Sequence, residues 1–240
     1  MNVALVVAGG SGRRTGQDVP KQFLNIYDVP IFIYTLHNIE TTDCIDEIVI
    51  VGPSGWENYI LSYSKQFGVQ KLKAVITGGN TRFHSVLNGL AFLAECHDPA
   101  DTIVSIIDAN RPLIPQRVIK AGIEMLNECE CTVAVEPCYD SMYHSGDGVD
   151  LDGIEDRNVL YAGQCPEAVR VKDALEIYEL AEKNSSFDLP TAALFMTYER
   201  TVKAVKGSKK SMKITTREDF ELFKALLGEK RLRSLKEENE

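Results

Sequence analysis

The chain lacks most of the features that would place it in a specialised class. It has no excess of positive charge: over 240 residues the formal net charge is -9, which argues against a general binder of nucleic acid or anionic membranes. No apolar run approaches a membrane span. The apolar stretch at the N-terminus is too short for a signal peptide, and its arginines follow it instead of preceding it. Low-complexity tracts and internal repeats are missing. The cysteines Cys44, Cys96, Cys129, Cys131, Cys138 and Cys165 form no CxxC pair, and Cys129-x-Cys131 lacks a second pair to complete a zinc site. A chain this long can be held by its core, so these are expected to be free thiols in a reducing cytoplasm. What remains is a soluble, cytoplasmic protein with one α/β domain over residues 1–240. On such an acidic background a local cluster of basic residues suits a small anionic ligand.

Short β-branched runs alternate with longer helical patterns. Val3–Ala8, Glu47–Val51, Lys73–Ile76, Thr102–Ile107 and Thr132–Val135 predict strands, whereas Ile31–Ile39, Trp56–Phe67, Arg82–Glu95 and Pro115–Leu126 carry helical periodicity. Such alternation implies an α/β fold, a mostly parallel sheet with helices on both faces. Ligands of such sheets bind at the carboxyl ends of the strands, where the loop after Ala8 and the residue Asp108 both fall. Residues 139–160 interrupt the alternation with a glycine- and aspartate-rich stretch that reads as a protruding β-hairpin arm. Regular α/β structure is expected to resume at Ala168, with a helix over Leu175–Ala181 and a strand over Thr201–Val205. A last helix spans Thr216–Leu227, with Thr215 or Thr216 as its N-cap. The tail from Gly228 reads as a charged, frayed helix end.

Five stretches carry candidate chemistry. The first is VALVVAGGSGRRTG, residues 3–16. It is not a Walker A loop, and it is not a dinucleotide fingerprint because Thr15 stands where a third glycine is required. Its glycines still let backbone N–H groups approach an anion, and Arg13 and Arg14 add charge, one of them expected to face the ligand. Next, Pro20 stiffens the approach of Lys21, which could neutralise charge developing on a phosphate under attack. In GGNTRFHSVLNGL, residues 78–90, Arg82, Ser85 and Asn88 share a helix face that could contact a base or ribose, or merely cap the helix. In IIDANRPLI, residues 106–114, Asp108 could organise magnesium, bond a substrate hydroxyl, or pair with a nearby arginine such as Arg111. Finally, Lys213 precedes the last helix, within reach of a phosphate.

Taken in order, AGG-x-G-x-R…PKQF, GG-x-x-R-x-x-S-V-x-N-G-L, D-A-x-RP, E-D-R-N-x-L and K-I-T-x-x-E-D resemble the 2-C-methyl-D-erythritol 4-phosphate cytidylyltransferase family, with its relatives the ribitol-5-phosphate cytidylyltransferases. The resemblance runs from residue 3 to about 227. It implies a Rossmann-like nucleotidyltransferase fold, a homodimer built by exchange of the 139–160 arms, and attack of a polyol phosphate on the α-phosphorus of CTP with magnesium present. It further implies that Ala8, Gly9, Gly10 and Gly12 bind the triphosphate and that Arg14 and Lys21 act at the α-phosphate. Gly79, Arg82 and Ser85 would then meet the cytidine, and Asp108 and Arg111 the sugar or polyol. Ser141 and Arg157 would come from the partner's arm toward the substrate phosphate, joined by Cys165 and Lys213.

Three positions depart from that pattern. Ile107 stands where the family reads histidine, Cys165-Pro166-Glu167 where it reads T-P-Q, and Phe187-Asp188-Leu189 where it reads T-D-D or T-D-E. These changes are expected to cluster around the acceptor. A thiol is a weaker donor than the threonine hydroxyl, and Glu167 would repel a phosphate unless an arginine intervened. The alternatives are therefore a ribitol or other pentitol phosphate as acceptor, and a non-catalytic CTP-binding relative. A dinucleotide-dependent dehydrogenase is disfavoured by the missing third glycine.

Overall fold

The computed structural model describes residues 1–9, 20–185 and 189–237, the stretch 230–237 by backbone alone. The first apolar run forms β1 (Asn2–Val7), whose middle four residues are buried. Gly10, Gly12 and Arg14 lie outside the described residues. Lys21–Phe23 make one 3₁₀ turn, and a short hairpin of β2 (Asn25–Ile26) and β3 (Val29–Pro30) leads into α1 (Ile31–Glu40). There follow β4 (Glu47–Gly52), α2 (Glu57–Gln66), β5 (Leu72–Thr77), α3 (Arg82–Cys96), β6 (Ile103–Asp108), α4 (Gln116–Met125) and β7 (Cys131–Pro137). Every strand and helix expected up to residue 135 is present, with ends displaced by no more than two residues. Where a side chain caps the start, as Thr81 Oγ1 does by accepting from the His84 N–H, the boundary matches.

The arm is a hairpin of β8 (Met142–His144) and β9 (Gly153–Glu155), every residue of it exposed. Regular structure resumes earlier than Ala168. β10 (Tyr161–Arg170) is a ten-residue strand between β6 and β7 and antiparallel to both. Gly163 and Pro166 would interrupt an ordinary strand; here the register shifts between Gly163 and Glu167, and this bulge accommodates both. The chain ends with α5 (Val171–Lys183), α6 (Thr191–Thr197), β11 (Val202–Lys206) and α7 (Arg217–Glu237). Thr216 is the N-cap of α7: its hydroxyl accepts from the Asp219 N–H, and Asp219 accepts in return from the Thr215 and Thr216 N–H groups. The helix then continues past Gly228 to Glu237.

The seven strands lie in the order β11-β7-β10-β6-β1-β4-β5, all pairings parallel except those of β10. One apolar layer packs α1, α2 and α4 on the sheet through Phe32, Leu36, Ile60 and Ile119. The other packs α3, α5 and α6 through Val86, Leu90, Ile177 and Phe195. From β1 the chain moves outward through β4 to β5, then returns to β6 on the other side of β1. That reversal is a topological switch point, and it opens a crevice at the ends of β1 and β6.

Candidate active site

At the end of β1 the backbone is clamped from both sides, the Ala8 N–H donating to Val51 O at 2.8 Å and the Ala109 N–H to Val7 O at 3.0 Å. Gln22, buried at 2% exposure, donates its side-chain amide to Ala8 O. Phe23 is wedged among Phe32, Tyr59 and Trp56, stacking on the Trp56 ring at 4.4 Å. These two anchors hold the short turn that carries Lys21 beside Ala8 and Gly9. The PKQF motif is therefore a lysine on a fixed base, and Gln22, whose role the sequence reading did not assign, ties that base to β1.

Across the crevice, Gly79 forms the turn into α3. A Cβ there would lie 2.3 Å from His84 Cβ and 3.1 Å from the His84 carbonyl carbon, so only glycine lets the turn press onto the helix. Ser85, 1% exposed, accepts from the Gly79 N–H at 3.2 Å and donates to Thr81 O at 2.9 Å. It braces this turn from within while lining the crevice, and Thr81 takes the capping role. Asn88 is spent on Thr77 O.

At the centre lies a chain of alternating charges. Lys213 Nζ is 2.8 Å from Asp108 Oδ2, Arg111 Nε is 3.4 Å from the same oxygen, and Arg82 Nε is 3.7 Å from Oδ1. Arg82 Nη2 then reaches Glu167 Oε2 at 3.1 Å, and the other Glu167 oxygen accepts from the Ala192 N–H at 2.8 Å. Burial pushes the Asp108 carboxyl up, but Lys213, Arg82 and Arg111 outweigh it and hold it below the ordinary aspartate value. Burial likewise disfavours the charge on Arg82, and Glu167 and Asp108 more than restore it. An arginine does intervene at Glu167.

This chain of charges divides the crevice in two. A cavity of about 560 Å³ is lined by Ala8, Gly9, Lys21, Gln22, Gly79 and Ser85 among others. A second, of about 520 Å³, is lined by Arg111, Val133, Cys165, Glu167, Leu189 and Met196 among others. Thr81, Arg82, Asp108 and Lys213 face both. The strap carrying Lys213 is bolted down by three groups. Gln164 exchanges two hydrogen bonds with Ser208, Arg111 donates to Ser211 O, and Asn110 exchanges two with Ile214.

The described residues thus bring together Ala8, Gly9, Lys21, Gly79, Arg82, Ser85, Asp108, Arg111, Cys165 and Lys213. Ser141 and Arg157 stand apart on the exposed arm, where Arg157 donates to Tyr139 O. Of the departures, Glu167, Cys165 and Leu189 line the second cavity, whereas Phe187 and Asp188 lie outside the described residues. Ile107 does not belong with them. Strand alternation turns it into the layer under α1 and α4, where it is fully buried. Burial, with Asp108 nearby, pushes the Cys165 thiol up to about 12, which favours its protonated form.

Comparison with known proteins places this arrangement. The profile of IspD, 2-C-methyl-D-erythritol 4-phosphate cytidylyltransferase, matches residues 2–229. A ribitol-5-phosphate cytidylyltransferase of Streptococcus agalactiae serotype Ia is 33% identical over 228 residues, 94% of this chain and 95% of the relative. A 2-C-methyl-D-erythritol 4-phosphate cytidylyltransferase of Alkaliphilus oremlandii is 32% identical over 229 residues, 95% of each. The crystal structure of 4-diphosphocytidyl-2C-methyl-D-erythritol synthase from Anaerococcus prevotii shares the fold with a TM-score of 0.77 at 24% identity, covering 95% of this chain and 96% of that one. With its Rossmann-like sheet and a profile match over nearly its whole length, the chain belongs to the IspD family of cytidylyltransferases.

Proposed function

We propose that this protein is a CTP-dependent cytidylyltransferase that joins CMP to a polyol phosphate and releases pyrophosphate. One observation carries the reading: two cavities, each large enough for a small molecule, share the wall made by Arg82, Asp108 and Lys213. The first suits the nucleotide, its triphosphate beside Gly9 and Lys21. The second suits the acceptor. A phosphate oxygen of the acceptor attacks the α-phosphorus across the shared wall, and the bond from that phosphorus to the bridging oxygen of pyrophosphate breaks. The chain's own part is positioning and charge. Lys21, with Arg14 in the family pattern, neutralises charge growing on the α-phosphate. Lys213 serves the acceptor phosphate, and Asp108 holds Lys213, Arg111 and Arg82 in one geometry. Pyrophosphate release from CTP with methylerythritol, ribitol, xylitol and glycerol phosphates tests this reading; no turnover with any of them sinks it. Ribitol 5-phosphate is the second reading for the acceptor, supported by a relative of that name at 33% identity beside one named for methylerythritol phosphate at 32%.

Magnesium fits this site only together with the nucleotide. Among the described residues no three His, Cys, Asp or Glu side chains are grouped to hold a metal. Asp108, already engaged by three cations, is the one described carboxylate in the first cavity. An ion that keeps most of its water and binds through phosphates suits such a donor set. When bound, it would draw charge off the triphosphate.

The homodimer belongs to the same proposal. Tyr143, Val149, Leu151 and Ile154 on the arm are each more than half exposed, an apolar surface that a second copy could cover. A partner's arm could then deliver Ser141 and Arg157 to the second cavity. Ile154→Asp is expected to shift the dimer to monomer in light scattering and to abolish acceptor turnover while CTP binding survives. A monomeric wild type overturns this arrangement. The cytoplasmic location rests on the six unbridged cysteines, which suit a reducing compartment. No helix among the described residues is long and apolar enough to cross a membrane.

A further inference from the structure

Glu167 is the group at the site whose chemistry the reaction above leaves unused. Its side chain is only 4% exposed, yet it lines the second cavity and not the first. One oxygen takes Arg82 and the other takes the Ala192 N–H. An ionised carboxylate accepts about two hydrogen bonds per oxygen and donates none, so lone pairs remain on both oxygens. The cavity mixes the apolar side chains of Val133, Leu189, Ala192, Ala193 and Met196 with the donors Thr81, Arg111, Tyr161, Gln164 and Lys213, and none of these donor side chains bonds to Glu167. A molecule that displaces water from that corner must bring an O–H or N–H to the carboxylate, or leave a buried charge poorly solvated. A phosphate oxygen, itself negative, is repelled there. An acceptor bound in this cavity would turn its phosphate toward Lys213, which faces both cavities, and its carbon chain toward Glu167.

We propose that Glu167 is a specificity-determining residue of the acceptor cavity, selecting polyol phosphates that place a hydroxyl, remote from the phosphate, against its carboxylate. This rests on reading the second cavity as the acceptor site. The cavity is then a reader of one particular hydroxyl, and its weak point is an acceptor that carries hydrogen in that place.

The test uses the full-length wild-type protein and Glu167→Gln with CTP, a polyol phosphate that is turned over, and analogues of it in which one hydroxyl at a time is replaced by hydrogen. One analogue is expected to lose on the order of 10²-fold or more in kcat/KM, as sites built around a substrate hydroxyl do, while the others lose far less. In Glu167→Gln that selective loss shrinks at least tenfold, with KM for CTP unchanged. A uniform response of the wild type across the deoxy series overturns the proposal even if the variant does not fold. Equal losses for all acceptors in Glu167→Gln, with a parallel rise in KM for CTP, also overturn it and leave Glu167 as a support for Arg82. Absence of turnover with every polyol phosphate overturns this proposal and the proposed function together, whereas turnover with a uniform deoxy series overturns this proposal alone.

Discussion

Lys21→Ala is expected to lower kcat by about 10²–10³-fold, the cost of deleting one preorganised group that meets developing charge. The reason lies in how the lysine is mounted. Gln22 and Phe23 are the buried members of the turn, bonded to Ala8 O and stacked on Trp56, whereas the Lys21 side chain projects into the first cavity. Removing it subtracts charge from the site while the buried anchors Gln22 and Phe23 stay in place. Steady-state kinetics at saturating CTP, with calorimetry for CTP affinity, separates the two possibilities. Retention of more than a tenth of wild-type kcat would remove Lys21 from the chemistry. Lys21→Arg should recover only part of the rate, because a planar guanidinium does not place its charge where a compact ammonium does.

Arg82→Met is expected to cost about 2–3 kcal/mol of stability, read from urea unfolding. Stranding one member of a fully buried ion pair costs about 3–5 kcal/mol. The Arg82 side chain keeps 36% of its exposure, so the lower figure applies here. Glu167 would be left buried with only the Ala192 N–H, and Asp108 would lose one of its three cations. Adding Glu167→Gln to Arg82→Met should restore part of the loss, since it removes the stranded charge. If the double variant is no more stable than Arg82→Met, the pair is not the source. Asp108 adds a pH signature. Its folded carboxyl is held below the ordinary aspartate value of about 3.9. Its contribution is thus fully present above that value and is lost as pH falls through the lower, folded one. Asp108→Asn should therefore be less stable than wild type at neutral pH, with a shallower decline on acidification.

Much of this protein was legible in its residues because the cause was local. Alternation of β-branched runs with helical periodicity located five strands and four helices up to residue 135 but not the short β2–β3 hairpin, and of the two N-cap candidates Thr215 and Thr216 it is Thr216 that starts the last helix. The five motifs, in order, identified the family; Gly9, Lys21, Gly79, Arg82, Ser85, Asp108, Arg111 and Lys213 from four of them line the crevice, whereas the E-D-R-N-x-L motif lies on the exposed arm. Legibility failed where distant segments set the outcome. β10 was hidden because Gly163 and Pro166 argue against a strand unless a bulge absorbs them, and the bulge exists only where β7 and β6 flank it. Ile107 departs from the family pattern like Cys165 and Glu167, yet the strand's two-residue alternation, seen only in the sheet, turns it into the core.

The fold class, the family and the set of charged residues that could act on phosphate are all encoded in spacing along the chain. How those charges are spent depends on the folded arrangement. Asp108 does not wait alone for a ligand: it is held by Lys213, Arg111 and Arg82, which come from three separate segments. Glu167, 85 residues from Arg82 along the chain, faces it at 3.1 Å. The physical reason is that the worth of a buried charge depends on which opposite charges surround it in space, and the strand order, not the chain order, brings those partners together.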